Sequence, residues 1–158
     1  MGTDPYQDGM ARLDAGDAKE GRRLLEEALR RAPEDARVMH GLALALDLDG
    51  EPTRARELLE AAHGRAPTEP EPACDLAMAL MEGGEDARAE QVLAPVLEAH
   101  PYHPRANLSL AMAVAKEDPA RARLHLAKVL WEQDPTLAPE LRQQAEALDR
   151  VLGQHVTV

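Results

Sequence analysis

A chain of 158 residues, 44% of them hydrophobic, has room for one domain or a short repeat array with a real core, and excludes two independent globular units. Aromatics are 2%, Phe is absent, and Ala, Leu, Glu and Arg dominate, which excludes a sandwich or barrel and points to an all-α chain. The formal charge of -11 argues against nucleic acid and anionic membranes as partners, since both need Lys and Arg to meet phosphates.

In chain order, helices are predicted over 5–15 and 18–32, 36–48 and 52–65, 70–82 and 86–99, 104–116 and 119–133. Pro5 follows Asp4 and Pro104 follows His103, the arrangement of a first-turn proline behind a capping residue. Gly16-Asp17, Gly50-Glu51 and Gly84-Glu85 separate the helices of the first three pairs. Glycine closes a helix in the left-handed region at no steric cost, and the acid then favours the positive end of the next helix. In the fourth pair Asp118-Pro119 takes that place, and Ala122 arrives one residue early. A ninth helix, 137–152, carries Leu141, Ala145, Leu148 and Leu152 on one stripe and is expected to cover the last pair, with Trp131 in the seam. Residues 154–158 are expected to form a flexible tail.

The predicted pairs repeat. Pro33, Pro67, Pro101 and Pro135 stand 34 residues apart, and each closes a second helix by removing a backbone donor. Set out at that period, Gly9, Ala43, Ala77 and Ala111 share a column, beside Leu42, Leu76 and Leu110 and beside Leu46, Leu80 and Val114. In the second helices Ala55 aligns with Ala89, Leu25 with Leu59 and Leu93, and Ala28 with Ala62 and Val96. Small residues let helices approach and large ones fill the gaps. The first pair departs from the pattern, with Asp8 and Arg12 in apolar columns and Gly21 where Ala is expected, as suits a terminal cap.

This pattern resembles the tetratricopeptide repeat (TPR) family, on the small residue within the first helix, the Gly-acid turn, the early Ala of the second helix and the closing Pro. The resemblance covers about residues 2 to 135. It implies a right-handed α-solenoid of about four repeats, near 2–35, 36–69, 70–103 and 104–135, followed by a capping helix at 136–153. In TPR arrays the first helices line a concave groove.

Catalytic and metal chemistry have little to stand on. No nucleophile–base set, phosphate loop or metal motif appears, so no catalytic residue, cofactor or metal is expected. His100 and His103 form the one close histidine pair and read as an exposed turn between repeats. Cys74, the single cysteine, permits no intramolecular disulfide and fits a reducing compartment. The start at Met1-Gly2-Thr3-Asp4-Pro5 has neither a basic nor an apolar leader region, and no apolar run approaches a membrane span, so a soluble cytoplasmic protein is expected. Fifteen Arg against three Lys points to a GC-rich bacterial source.

The remaining candidate is the groove that the resemblance implies. Three stripes with +4, +3 spacing are expected to face it: Met10, Leu44, Met78 and Met112; Tyr6, His40, Cys74 and Leu108; Leu13, Asp47, Met81 and Ala115. Met is flexible and polarizable, suited to accepting varied apolar side chains. Asp14, Asp47, Asp75 and Glu82 flank the stripes, with Arg37, Arg105 and Lys116 at other entries. Acids beside a Met floor favour a basic amphipathic segment of a partner protein. The Lys/Arg/Asn clamp by which some TPR domains hold a chaperone C-terminus is missing, Tyr6, Gln7 and His40 standing there instead. The expected function is a non-catalytic scaffold or adaptor binding a peptide or helix. A TPR-type secretion chaperone for an apolar client and a structural self-assembling subunit are the alternatives, and homo-oligomerisation is left open.

Overall fold

The computed structural model describes residues 2–131 and 135–154. Among them are nine helices and no strand: α1 Pro5–Asp14, α2 Ala18–Arg31, α3 Ala36–Leu48, α4 Pro52–Arg65, α5 Pro70–Glu82, α6 Asp86–Ala99, α7 Pro104–Val114, α8 Pro119–Leu130 and α9 Pro139–Gln154. They fall into two compact units, Met1–Pro67 with α1–α4 and Thr68–Val158 with α5–α9.

The local chemistry sets the helix ends. Gly16, Gly50 and Gly84 have φ of +82°, +83° and +76°. At each turn the following amide bonds back across the glycine: Asp17 to the Arg12 carbonyl at 2.9 Å, Glu51 to Leu46 and Glu85 to Leu80 at 2.8 Å. These carbonyls would otherwise be orphaned at a helix end. Asp17 then caps α2 through the Glu20 amide. Glu51 and Glu85 make no such cap bond and instead accept from Arg54 and Arg88 one turn along.

The fourth pair lacks the glycine, and its geometry changes. α7 stops at Val114, short of the expected 116, and the chain turns through Ala115–Glu117 until Asp118 caps α8 on the Arg121 amide at 2.9 Å. α8 ends at Leu130, and 132–134, the end of its expected span, lie outside the described residues. α9 starts at Pro139 rather than 137, because the residue before a proline is held out of the helical region. It runs through Gln154, the first residue of the expected tail; the rest of that tail lies outside the described residues.

In the first unit Gly9, Leu25, Ala28, Leu42, Ala43, Leu46, Ala55, Leu59 and Ala62 are buried between the helix pairs. The second unit repeats this with Leu76, Ala77, Leu80, Ala89, Leu93, Val96, Leu110, Ala111 and Val114. Each buried Leu contributes about 1.5–3 kcal/mol relative to exposure, which is why the columns at this period carry the fold. Ala145 and Leu152 of α9 are buried, with Leu141 and Leu148 half-buried.

Polar ties join successive pairs within each unit. Arg22 of α2 donates to Asp49 at 2.8 Å and to Glu51, at the α3–α4 turn, as well as to Glu26. In the second unit Arg121 of α8 pairs with Glu90 of α6, and Arg123 with Asp149 of α9 at 3.0 Å.

Candidate functional site

Within the first unit, α1 and α3 carry the candidate residues. Arg37 lies over the Tyr6 ring, its guanidinium carbon 4.6 Å from the centroid, a cation–π contact. Tyr6 and Met10 both rest on Gly41 of α3: a β-carbon there would stand 3.2 Å from Tyr6 Cε2 and 3.1 Å from Met10 Sδ. Gly41 is thus the seat of this face, and its lack of a side chain within an apolar helix was its only signal in the sequence. His40 and Leu44 are half-buried, and Asp47 and Arg37 are exposed. Leu13 is a correction. It packs against Gly21 of α2, where an added β-carbon would meet Leu13 Cδ2 at 2.6 Å, so it belongs to the contact within the helix pair rather than to a groove.

In the second unit the candidates lie on α5 and α7, which pack against each other, α7 also packing on α9. Met78 is 38% exposed and Met112 36% exposed, at matching positions of these two helices. Met81 is half-buried. Cys74 and Leu108 are corrections, because they are 0% and 3% exposed and offer no surface to a partner. Burial pushes the Cys74 pKa up to about 11, against the opposing pull of Arg105 and Ser109 of α7.

The electrostatics also differ from expectation. Arg105 of α7 pairs with Asp75 and, at 2.6 Å, with Glu71, both on α5. Burial lowers and these carboxylates raise its pKa, with a net rise that keeps it cationic. The Asp75 charge is therefore met inside the chain, and the acidic flank imagined for a basic partner is weaker in this unit.

The His100–His103 turn is a structural device. The His103 side chain caps α7, its Nδ1 accepting the Ala106 amide at 3.2 Å. Asn107, fully buried, donates through Nδ2 to the carbonyls of Pro101 at 2.9 Å and His103 at 3.0 Å, and its Oδ1 meets His125 Nδ1 at 2.9 Å. Asn107 stands where the preceding pairs have Ala73 and Met39, so the repeat pattern carries no sign of its role. Trp131 is 80% exposed and so is not packed into the α8–α9 seam; it borders one open hollow with Arg123 and Asp149 and another, of about 670 Å³, with Tyr102, Val129 and Leu137.

Among the described residues no group of three or more His, Cys, Asp or Glu is placed to hold a metal, and no helix is long and apolar enough to cross a membrane.

Two family models, both described as tetratricopeptide repeat, match residues 6–70 and 48–113. Together they span well over half of the chain. No curated protein matches the sequence. Among solved structures, a Thermus thermophilus protein, TTC0263, described as a thermophilic TPR protein, is 21% identical over 95% of this chain and 82% of its own, with a TM-score of 0.76. MamA 41-end from Desulfovibrio magneticus RS-1 is 21% identical over 98% of this chain and 92% of its own, with a TM-score of 0.72. YrrB, described as a TPR protein with an unusual peptide-binding site, is 25% identical over 90% of this chain and 73% of its own, with a TM-score of 0.71. Their fold is the all-α TPR fold, and this chain shares it.

Proposed function

We propose, because the chain belongs to the tetratricopeptide repeat family, that it is a non-catalytic protein–protein interaction scaffold that holds a peptide or helical segment of another protein on its first helices. The observation that carries this reading is the exposure of Met78 and Met112 at equivalent positions on α5 and α7, while Ala77 and Ala111 beside them are buried. Two flexible apolar side chains held on adjoining helices suit an apolar strip of a partner. Asp75, Met81 and Arg105 complete the proposed surface of the second unit, and in the first unit Tyr6, Met10, Arg37, His40, Leu44 and Asp47 form a candidate face of their own. The peptide-binding description of YrrB fits the same reading by likeness. A cytoplasmic, reducing setting belongs to the proposal as well, supported by a single buried thiol.

The partner's segment is apolar first. Its basic character, expected from flanking acids, has support from exposed Asp47 and none from Asp75, which Arg105 already meets. The test is a pull-down from the source cell with the native chain and with the Met78→Lys/Met112→Lys double variant, after circular dichroism shows that both are folded. One specific prey lost in the variant supports the reading. An unchanged prey set means the surface lies elsewhere.

A further inference from the structure

Asn107 fixes the tautomer of one histidine, His125, and the Ala106 amide fixes that of another, His103. Both hydrogens of the Asn107 Nδ2 are used on the carbonyls of Pro101 and His103, so its Oδ1 has to face His125 Nδ1 as an acceptor. His125 must therefore carry its proton on Nδ1. His103 is the reverse case, since its Nδ1 accepts the Ala106 amide and must be bare, leaving the proton on Nε2. The same turn thus joins two imidazoles in opposite tautomers.

Acid treats the two differently. A second proton on His125 goes to Nε2 and leaves the Nδ1–H bond to Asn107 intact. A second proton on His103 has to enter at Nδ1, where it removes the acceptor and puts a positive charge on the positive end of α7. We propose that the His103 cap is an acid-released latch on α7: neutral His103 holds the first turn closed, and protonation frees the Ala106 amide. Arg105, which ties α7 to Glu71 and Asp75 of α5, sits in the released turn.

The surroundings act in the same sense. Burial lowers the His103 pKa, Glu71 of α5 opposes this, and His100 of the turn and Arg105 of α7 add to it. Around His125, burial lowers the pKa, Lys128 and Arg121 of α8 add to it, and Glu90 of α6 opposes. The latch is closed at neutral pH and opens on the acid side of the ordinary histidine range.

Long-range ¹H–¹⁵N NMR of the full chain between pH 8 and 5 tests this, with the His103→Asn variant, which caps a helix but does not titrate, as control. At pH 8 the expected result is an Nε2–H tautomer at His103 and an Nδ1–H tautomer at His125. On acidification the Ala106 amide shift should follow the His103 titration, and its exchange protection, corrected for the intrinsic rate, should fall about fivefold, the size of a lost cap. In His103→Asn the Ala106 amide should hold across the range. An Nδ1–H tautomer at His103, an Ala106 amide indifferent to pH in the native chain, or the same step surviving in His103→Asn would each overturn the proposal.

Discussion

Gly9 of α1 and Gly21 of α2 face each other so closely that a β-carbon on Gly9 would stand 3.2 Å from the Gly21 carbonyl oxygen, and one on Gly21 3.1 Å from the Gly9 oxygen. The other pairs place Ala at both positions, as in Ala43 with Ala55 and Ala77 with Ala89. The first pair is therefore the tighter one, and its two glycines predict different costs. A β-carbon at Gly9 meets Leu25 Cγ at 2.7 Å, and Leu25 is fully buried with nowhere to go. Gly9→Ala is expected to destabilise by about 1–2 kcal/mol, overpacking exceeding the gain in helix propensity. At Gly21 the closest atoms belong to the half-buried Leu13 side chain, which can swing away, and the Gly9 carbonyl oxygen at 3.1 Å leaves a smaller strain that the gain in helix propensity offsets. Gly21→Ala is expected to cost less than Gly9→Ala and to lie within about 1 kcal/mol of the native chain. Urea unfolding of the two variants measures the contrast, and equal losses would show that the pair does not differ as described.

Asn107 makes a second prediction. Asn107→Ala leaves the Pro101 carbonyl and the part-buried His125 Nδ1–H without their partner, with an expected loss of roughly 1–2 kcal/mol. Asn107→Asp should cost more at neutral pH, since a carboxylate would face two carbonyl oxygens. Part of that extra loss should return as the new acid is protonated. Denaturant midpoints of both variants at pH 7 and pH 5 check the order.

What was legible in the sequence was the part that repeats. Buried columns such as Leu42, Leu76 and Leu110 obey one period because each pair meets the same neighbours, so the spacing of the prolines carried the fold. The candidate surface was legible only in part. A +4, +3 count finds one face of a helix, but a first helix in a stack has one face toward its own pair, another toward adjoining first helices and a third left open. Met78 and Met112 proved open, Cys74 and Leu108 turned out to be covered, and Leu13 is packed on its own pair. Position in a column does not report the neighbour's approach. The Asn107 network was hidden for a related reason. A single polar residue in an apolar column has no periodic echo, and its partners at Pro101, His103 and His125 are brought to it only by the fold.

The burial of Cys74 can be measured directly. With its pKa raised to about 11 and no exposed surface, the thiol should resist iodoacetamide at pH 8 in the native chain. Modification should proceed only through opening of the α5–α7 contact, so its rate should rise with urea as opening becomes more frequent. Arg105→Ala removes the tie to Asp75 and Glu71 and should speed modification several-fold. A native rate within tenfold of that of the unfolded chain would mean the thiol is not covered.

A third histidine with a lowered pKa, His63, connects stability to pH. His63 Nδ1 of α4 is buried without a hydrogen-bond partner among the described residues, and burial lowers the His63 pKa. His103 and His125 are lowered as well, burial being the largest cause in each. A histidine with a depressed pKa in the folded chain binds its proton more readily when unfolded, so stability is lost as pH falls below the ordinary value of 6.5 and levels off below the folded pKa. Each group can contribute at most about 1.4 kcal/mol per pH unit in that window. Glu20 and Glu51, lowered chiefly by hydrogen bonds from Arg23 and Arg54, act in the same direction but only below the ordinary carboxylate value of 4.5. Their carboxylates are open to solvent over about a third of their surface, so added salt should weaken their part and leave the histidine part nearly unchanged. The expected urea-midpoint profile is therefore flat from pH 8 to 7, falls from about 6.5 with little salt dependence, and falls again below 4.5 with a marked one. His63→Gln, which is neutral at every pH, should flatten a share of the first fall; a profile flat through pH 5 in the native chain would contradict the burial assigned to these three side chains.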